Sequence, residues 1–357
     1  MRLSLGRCPP LMLLALASAL FPAAASAAAS QVGVWEGTVG GQPVMACFND
    51  DLFGAYYYRR HLQAIHLEAM DKGPGHWFET PADDGNKTGT WTLSTIEADR
   101  IEGQWADPGG QHRSPIALAR RPVADKDTPA CGSSVFNAAL EVPPKIVHGT
   151  PKTVDGRHYR TVTARATQFS VATLELLEPG AAVSALNAQL KKQLPDTPQS
   201  LEDLYACARD ALGSLGAKGE TTVDITPLLW TDRYLVTQTT TETFCGGPYP
   251  ATAVTATTWN VHSGQVEDVS KWLATGGVTG GVKTLMASYS DNTDSDCVDA
   301  LAQAHTFDIR PDRKGLVFTP DLPHAVQACA DEITVPYSAL KPFLSAAGVA
   351  GAQSMQP

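Results

Sequence analysis

The sequence predicts an α+β protein in two parts: an all-β antiparallel meander or small barrel, then an α+β domain whose antiparallel or mixed sheet is covered by helices. Three observations predict it. Residues 28–121 break into short apolar runs separated by turn clusters such as Val39-Gly40-Gly41, Asn49-Asp50-Asp51 and Asp107-Pro108-Gly109-Gly110. Residues 122–144 hold Pro122, Pro129, Pro143 and Pro144 among charges, and read as a linker. From 145 to 346, segments with apolar residues at helical spacing mix with alternating ones.

The chain opens with Arg2 and Arg7, an apolar run over 11–21, and the small-residue site Ala25-Ser26-Ala27. This pattern predicts a signal peptide over 1–27. The run is too short to span a bilayer, and no second run of spanning length follows. The mature protein is expected to be periplasmic or secreted. Loss of Cys8 leaves Cys47, Cys131, Cys207, Cys245, Cys297 and Cys329. An oxidising compartment turns these into three expected disulfides, with free buried thiols as the alternative. Six cysteines allow fifteen connectivities. Grouping by domain favours Cys297 with Cys329, Cys207 with Cys245, and Cys47 with Cys131. None of them has C-x-x-C spacing, which argues against zinc and thioredoxin-like chemistry.

The net charge is −10, and removal of two leader arginines makes it more negative. A nucleic-acid partner is thereby disfavoured, whereas a basic partner would be steered in.

In the first part, Gly33-Val34-Trp35-Glu36-Gly37 opens a series of glycine–aromatic strands that continues at Gly54 to Tyr58, Gly89-Thr90-Trp91 and Gly103-Gln104-Trp105. About eight strands are expected, enough to close a small barrel. The G-x-W-x-G start resembles that of lipocalin-like and avidin-like barrels. The resemblance implies a tryptophan plugging one end and leaves room for a small-ligand reading.

In the second part, strands are expected over 159–177. A helix follows, carrying Val183, Leu186, Leu190 and Leu194 on one face. A second helix is expected to start at Ser200, with Asp203 completing a capping box. Strands follow near 221–225, 234–244 and 251–260. Residues 269–273 and 282–289 look helical, a further helix is expected over 296–305, and strands near 306–310 and 316–319. A strand before Pro336 and a short helix over 338–346 end the fold, leaving 347–357 as a disordered tail.

Val183 to Leu190, Gly246-Gly247-Pro248-Tyr249-Pro250, Phe307-Asp308-Ile309, Leu316-Val317-Phe318 and Ile333 to Leu340 occur in an informative order. Together they resemble the extracytoplasmic domain of unknown function shared by lysozyme-sensing anti-sigma factors and one type of peptidoglycan deacetylase. The resemblance implies a non-enzymatic recognition domain of the cell envelope, with lysozyme-type proteins or peptidoglycan components as partners. Gly246, Gly247, Tyr249 and Pro250 are then the candidate contact residues. Tyr249 stands where the family pattern has histidine, so a histidine role does not transfer. The rival role of this loop is to shape a strand crossing.

Motifs for other chemistry are missing from the sequence: no G-x-S-x-G, no H-E-x-x-H and no P-loop. The run Gly276 to Gly281 is followed by Val282, where a P-loop needs lysine. Asp291, Asp294, Asp296 and Asp299 fail the glycine and glutamate positions of a calcium loop. Thr293 or Asp294 as a helix cap explains them better. His61, His66, His76 and His112 have no shared-face spacing, and Glu68, Glu79, Glu97 and Glu102 fit an outer strand face. No metal and no cofactor are expected. An envelope hydrolase with an unrecognised site is the remaining alternative.

Overall fold

The computed structural model describes residues 30–355 except 71–74, 82–85, 126 and 293. The expected signal peptide over 1–27 lies outside them, as does Thr293. The protein is α+β: a closed eight-stranded antiparallel barrel precedes an α+β domain with a curled mixed sheet.

The barrel runs through β1 (Gly33–Val39), β2 (Gln42–Phe48), β3 (Phe53–Tyr58), β4 (Ile65–Ala69), β5 (His76–Pro81), β6 (Gly89–Ile96), β7 (Arg100–Ala106) and β8 (Arg113–Arg121). Each strand pairs with the next, and β8 closes on β1 from Val34↔Arg121 to Val39↔Ile116. The β1–β2 turn needs left-handed backbone at both central residues, and Gly40 (φ 59°) and Gly41 (φ 77°) supply it.

Alternation fills the interior with Trp35, Phe48, Tyr56, Leu67, Trp77 and Trp91, among others, all essentially inaccessible. A barrel of this size is just wide enough for side chains to fill it. Among the described residues, these side chains occupy the space that the small-ligand reading needs. Trp35 plugs one end: its indole Nε1 donates to Gln31 O (2.7 Å), and the Arg120 guanidinium lies 4.1 Å from the ring centroid.

Glu79 departs from the outer-face expectation. It follows Trp77 in the inward alternation of β5 and is 4% exposed. Its Oε2 accepts from Tyr56 OH (2.7 Å) and Trp105 Nε1 (2.8 Å), and its Oε1 from Thr88 Oγ1 (2.9 Å). Gly89 makes room for this arrangement, since a Cβ there would sit 2.4 Å from Trp105 Nε1. The carboxylate raises the Tyr56 pKa, but burial of the phenol raises it more.

The stretch expected as a linker is a packed connector. A 3-10 turn at Ala130–Gly132 and the short helix α1 (Ser134–Asn137) lie on the outer face of β1 to β3. Phe136 and Leu140 bury themselves against Val34, Met45 and Tyr57. Proline content read as openness because these few apolar residues show no period; burial against an already formed barrel supplies their order. Cys131 is bonded to Cys47 on β2.

The second part begins with β9 (Lys145–His148), β10 (Lys152–Val154), β11 (Arg157–Arg165) and β12 (Phe169–Leu176). Helices α2 (Ala181–Lys191) and α3 (Pro198–Leu215) then carry the chain across to β13 (Glu220–Trp230). This crossover makes β12 and β13 the parallel pair of the sheet. β14 (Tyr234–Phe244), β15 (Ala251–Asn260) and β16 (Gln265–Val266) complete it by antiparallel pairing.

Helix α3 starts before the expected Ser200. Thr197 is its N-cap, with Thr197 Oγ1 accepting from Ser200 N (3.1 Å) and Ser200 Oγ accepting from Thr197 N (3.2 Å). Pro198 fits the first helical position, where its missing N–H is not needed.

On one face of the sheet, Leu186 and Leu190 of α2 pack on Leu174, Leu235 and Trp259. Full burial of each leucine contributes about 1.5–3 kcal/mol. The opposite face meets α4 (Gly280–Tyr289), α5 (Ser295–Gln303) and a three-stranded sheet of β17 (Phe307–Pro311), β18 (Gly315–Pro320) and β19 (Ile333–Pro336). Asp294 caps α5, its Oδ1 accepting from Asp296 N (2.9 Å).

After α6 (Tyr337–Leu340), the segment expected as a disordered tail forms α7 (Ala346–Met355). Gly348 and Gly351 let it lie on Trp272: a Cβ at these positions would sit 2.1 Å from the Trp272 carbonyl and 2.5 Å from its ring. Its Ala/Gly-rich composition hides this contact, because the apolar mass comes from Trp272. Further disulfides join Cys207 to Cys245 and Cys297 to Cys329. No helix among the described residues is long and apolar enough to cross a membrane.

Candidate functional site

A hollow of about 950 Å³ lies where the connector, α3 and the loop after β14 meet. One wall is the connector, from Val123 through Val135 with Glu141. Another is α3 between Glu202 and Ser214, and the rim is Cys245, Gly246 and Gly247.

Covalent and polar ties build this groove. Asn49, at the end of β2, donates from Nδ2 to Leu212 O (2.7 Å) and accepts at Oδ1 from Cys131 N (2.8 Å). One side chain thus holds the barrel, the connector and the end of α3 together. His66 Nδ1 donates to Gly216 O (3.0 Å), and Tyr57 OH donates to Phe136 O (2.9 Å). The Cys207–Cys245 disulfide fastens the rim loop to α3.

The groove wall is predominantly acidic. Asp125, Glu141, Glu202 and Asp210 line it, with Arg209 the one cation among the described residues of the lining. Arg209 Nη1 pairs with Glu141 (2.5 Å), and Nη2 pairs with Glu202. Burial works against the Arg209 charge, but the hydrogen bonds and charges of Glu141 and Glu202 outweigh it and raise the guanidinium pKa. Asp125 is held below the usual carboxylate range by the Thr128 hydroxyl, and then by the backbone N–H of Asp127. The lining includes Ser133, Ser134 and Ser214 but no histidine, so it does not assemble the serine–histidine–carboxylate grouping of a hydrolase.

Of the sequence candidates, Gly246 and Gly247 border the groove. Tyr249 and Pro250 stand outside its lining, with Tyr249 66% exposed. Gly246 has φ +89°, and a Cβ there would sit 2.1 Å from Ser214 Oγ and 2.8 Å from Ala211 Cα. Gly247 has no such neighbour, its nearest being Tyr249 O at 3.8 Å. Gly246→Ala is therefore expected to cost about 2 kcal/mol through backbone strain and overpacking, and Gly247→Ala less than about 0.5 kcal/mol. Guanidinium unfolding of the two variants checks the difference.

The charged lining was missed from sequence. Glu202 and Arg209 lie seven apart on one helix, a spacing that signals a shared face. Asp125 and Glu141 join them through connector packing, which has no sequence period. The barrel histidines do not gather: His112 pairs with Asp107 (2.9 Å), and His61 accepts from Arg60 (2.8 Å). Among the described residues, no group of three or more His, Cys, Asp or Glu is placed to hold a metal ion.

No family model matches the chain, and no curated protein matches it either. Two solved structures similar to it are DUF3298 family proteins. The one from Bacteroides fragilis NCTC 9343 has 14% sequence identity and a TM-score of 0.40, with 59% of this chain and 95% of that chain covered. The one from Pseudomonas aeruginosa PAO1 has 12% identity and a TM-score of 0.38, with 61% and 99% covered.

Proposed function

We propose that this protein is an exported, non-enzymatic binding protein of the cell envelope that captures a basic partner in its acidic groove. The observation that carries this reading is the groove itself: four carboxylates against one guanidinium, on walls fixed by two disulfides. Three disulfides suit an oxidising compartment. A lysozyme-type protein is the proposed partner, because its positive surface complements the groove and would be steered by the chain's net charge of −10. A peptidoglycan component is the second candidate, offered through its amines.

Calorimetry of the mature protein with a lysozyme and with muropeptides at low salt tests the proposal. Binding is expected to weaken at least about tenfold when salt shortens the Debye length from roughly 30 Å to 8 Å. The double variant Asp125→Lys, Asp210→Lys should lose it. Absence of binding to both probes at low salt rejects the proposal.

A further inference from the structure

A second hollow, about 460 Å³, shares no lining residue with the acidic groove, and its charge balance is the opposite. The β10–β11 turn brings Asp155 and Arg157, the β13–β14 turn brings Asp232 and Arg233, and the β17–β18 turn brings Arg313. Trp230 forms part of the wall. Three guanidinium groups thus face two carboxylates on a chain of net charge −10.

The carboxylates are not equivalent. Asp155 is a non-glycine residue at φ 49°. It is held there because its carboxylate accepts from Trp230 N (2.8 Å) and pairs with Arg313 (2.7 Å). Burial opposes its charge, but these partners and Arg157 outweigh burial and keep its pKa low. Asp155 and Arg313 therefore belong to the scaffold.

Asp232 is different. It pairs with Arg157, yet its side chain is 94% exposed while that of Arg157 is 30% exposed. An ion pair so open to water is worth at most about 1 kcal/mol, so another anion can replace Asp232 at little cost. Arg157 is itself oriented, with its guanidinium 5.5 Å from the Trp230 ring centroid. Arg233 lies against Tyr234 at 5.2 Å and has no carboxylate partner within ion-pair distance among the described residues. The Trp230 indole Nε1 is buried without a hydrogen-bond partner.

We propose that this hollow binds an oxyanion, a carboxylate or a phosphate, carried by a ligand of about monosaccharide size. Arg157 and Arg233 are its guanidinium ligands, and Asp232 is the counter-ion that the ligand displaces. The planar, always-charged fork of arginine matches both oxyanions. The volume falls in the range of small-ligand sites, roughly 300–1,000 Å³, and exceeds what a bare ion needs. This site shares no lining residue with the acidic groove and needs none of its partner's contacts.

Calorimetric titration of the full mature protein with glucuronate, glucose 6-phosphate and glucose tests it. At least one anion is expected to bind with a dissociation constant of about 1 mM or tighter, and glucose should give no signal. A response to glucuronate alone assigns the carboxylate, and a response to glucose 6-phosphate alone assigns the phosphate. Arg233→Gln should weaken binding about tenfold or more, the loss of a charge-assisted hydrogen bond. Asp232→Asn should tighten it a few-fold, because the internal competitor is gone. Failure of both anions to bind overturns the proposal, as does unchanged affinity in R233Q. Should R233Q not fold, D232N decides: unchanged or weaker affinity there overturns it as well.

Discussion

Glu79→Leu is expected to lower the unfolding free energy by about 4 kcal/mol, close to the loss seen when one member of a buried charged network is removed. The wild-type carboxylate takes hydrogen bonds from Tyr56, Trp91, Trp105 and Thr88 inside the barrel. Leucine fills a similar volume but accepts nothing. Tyr56, Trp91, Trp105 and Thr88 then lose a charged acceptor, and the two deepest, Tyr56 and Trp91, have little access to water as a substitute. Each unsatisfied donor costs about 1–3 kcal/mol. Glu79→Gln retains one carbonyl acceptor and should cost about half as much. Guanidinium unfolding followed by tryptophan fluorescence reads both. A loss below about 1 kcal/mol in E79L would mean that the network does not hold the barrel.

Replacing both Cys47 and Cys131 with alanine is expected to cost about 4–5 kcal/mol, on the chain-entropy account of a cross-link spanning 84 residues. The other two bridges span 38 and 32 residues. The logarithmic dependence on loop length makes their entropic contributions smaller by less than about 1 kcal/mol. Location separates them more than loop length does. Cys131 is the covalent hold of the connector on β2, so its loss should also free the connector wall of the acidic groove. The double variant is expected to lose partner binding at temperatures where circular dichroism still shows native strand content. Equal binding by folded variant and wild type would disconnect the bridge from the groove.

Legibility from sequence followed the range of the interactions involved. Strand β14 and strand β15 were readable at their observed bounds, because threonine, valine and aromatic residues alternate between clear turns. Helix α2 announced itself through Val183, Leu186 and Leu190. The start of α3 was displaced because Ser200 and Asp203 imitate a capping box, while Thr197 and Pro198 form the real one. Helix α7 was hidden because glycine and alanine carry no apolar signal until Trp272 is placed beneath them. Glu79 was assigned to the wrong face because its identity outweighed its parity with Trp77. In the groove, Gly246 was legible as a turn residue, but Asp125, Glu141 and Arg209 meet through tertiary packing alone. The three-turn arginine cluster was unreadable for the same reason, its residues lying on separate hairpins.

The connector's hold on the barrel bears on how the protein can be divided. A fragment ending at Arg121 would follow the visible strand boundary, yet it would strip Phe136 and Leu140 from Val34, Met45 and Tyr57. It would also carry Cys47 as an unpaired thiol. Such a piece presents an apolar patch next to a reactive sulfur, a combination that favours intermolecular disulfides and precipitation. A cut beyond Leu140 keeps Phe136, Leu140 and the Cys47–Cys131 bridge with the barrel and gives up only Leu212 of that cluster.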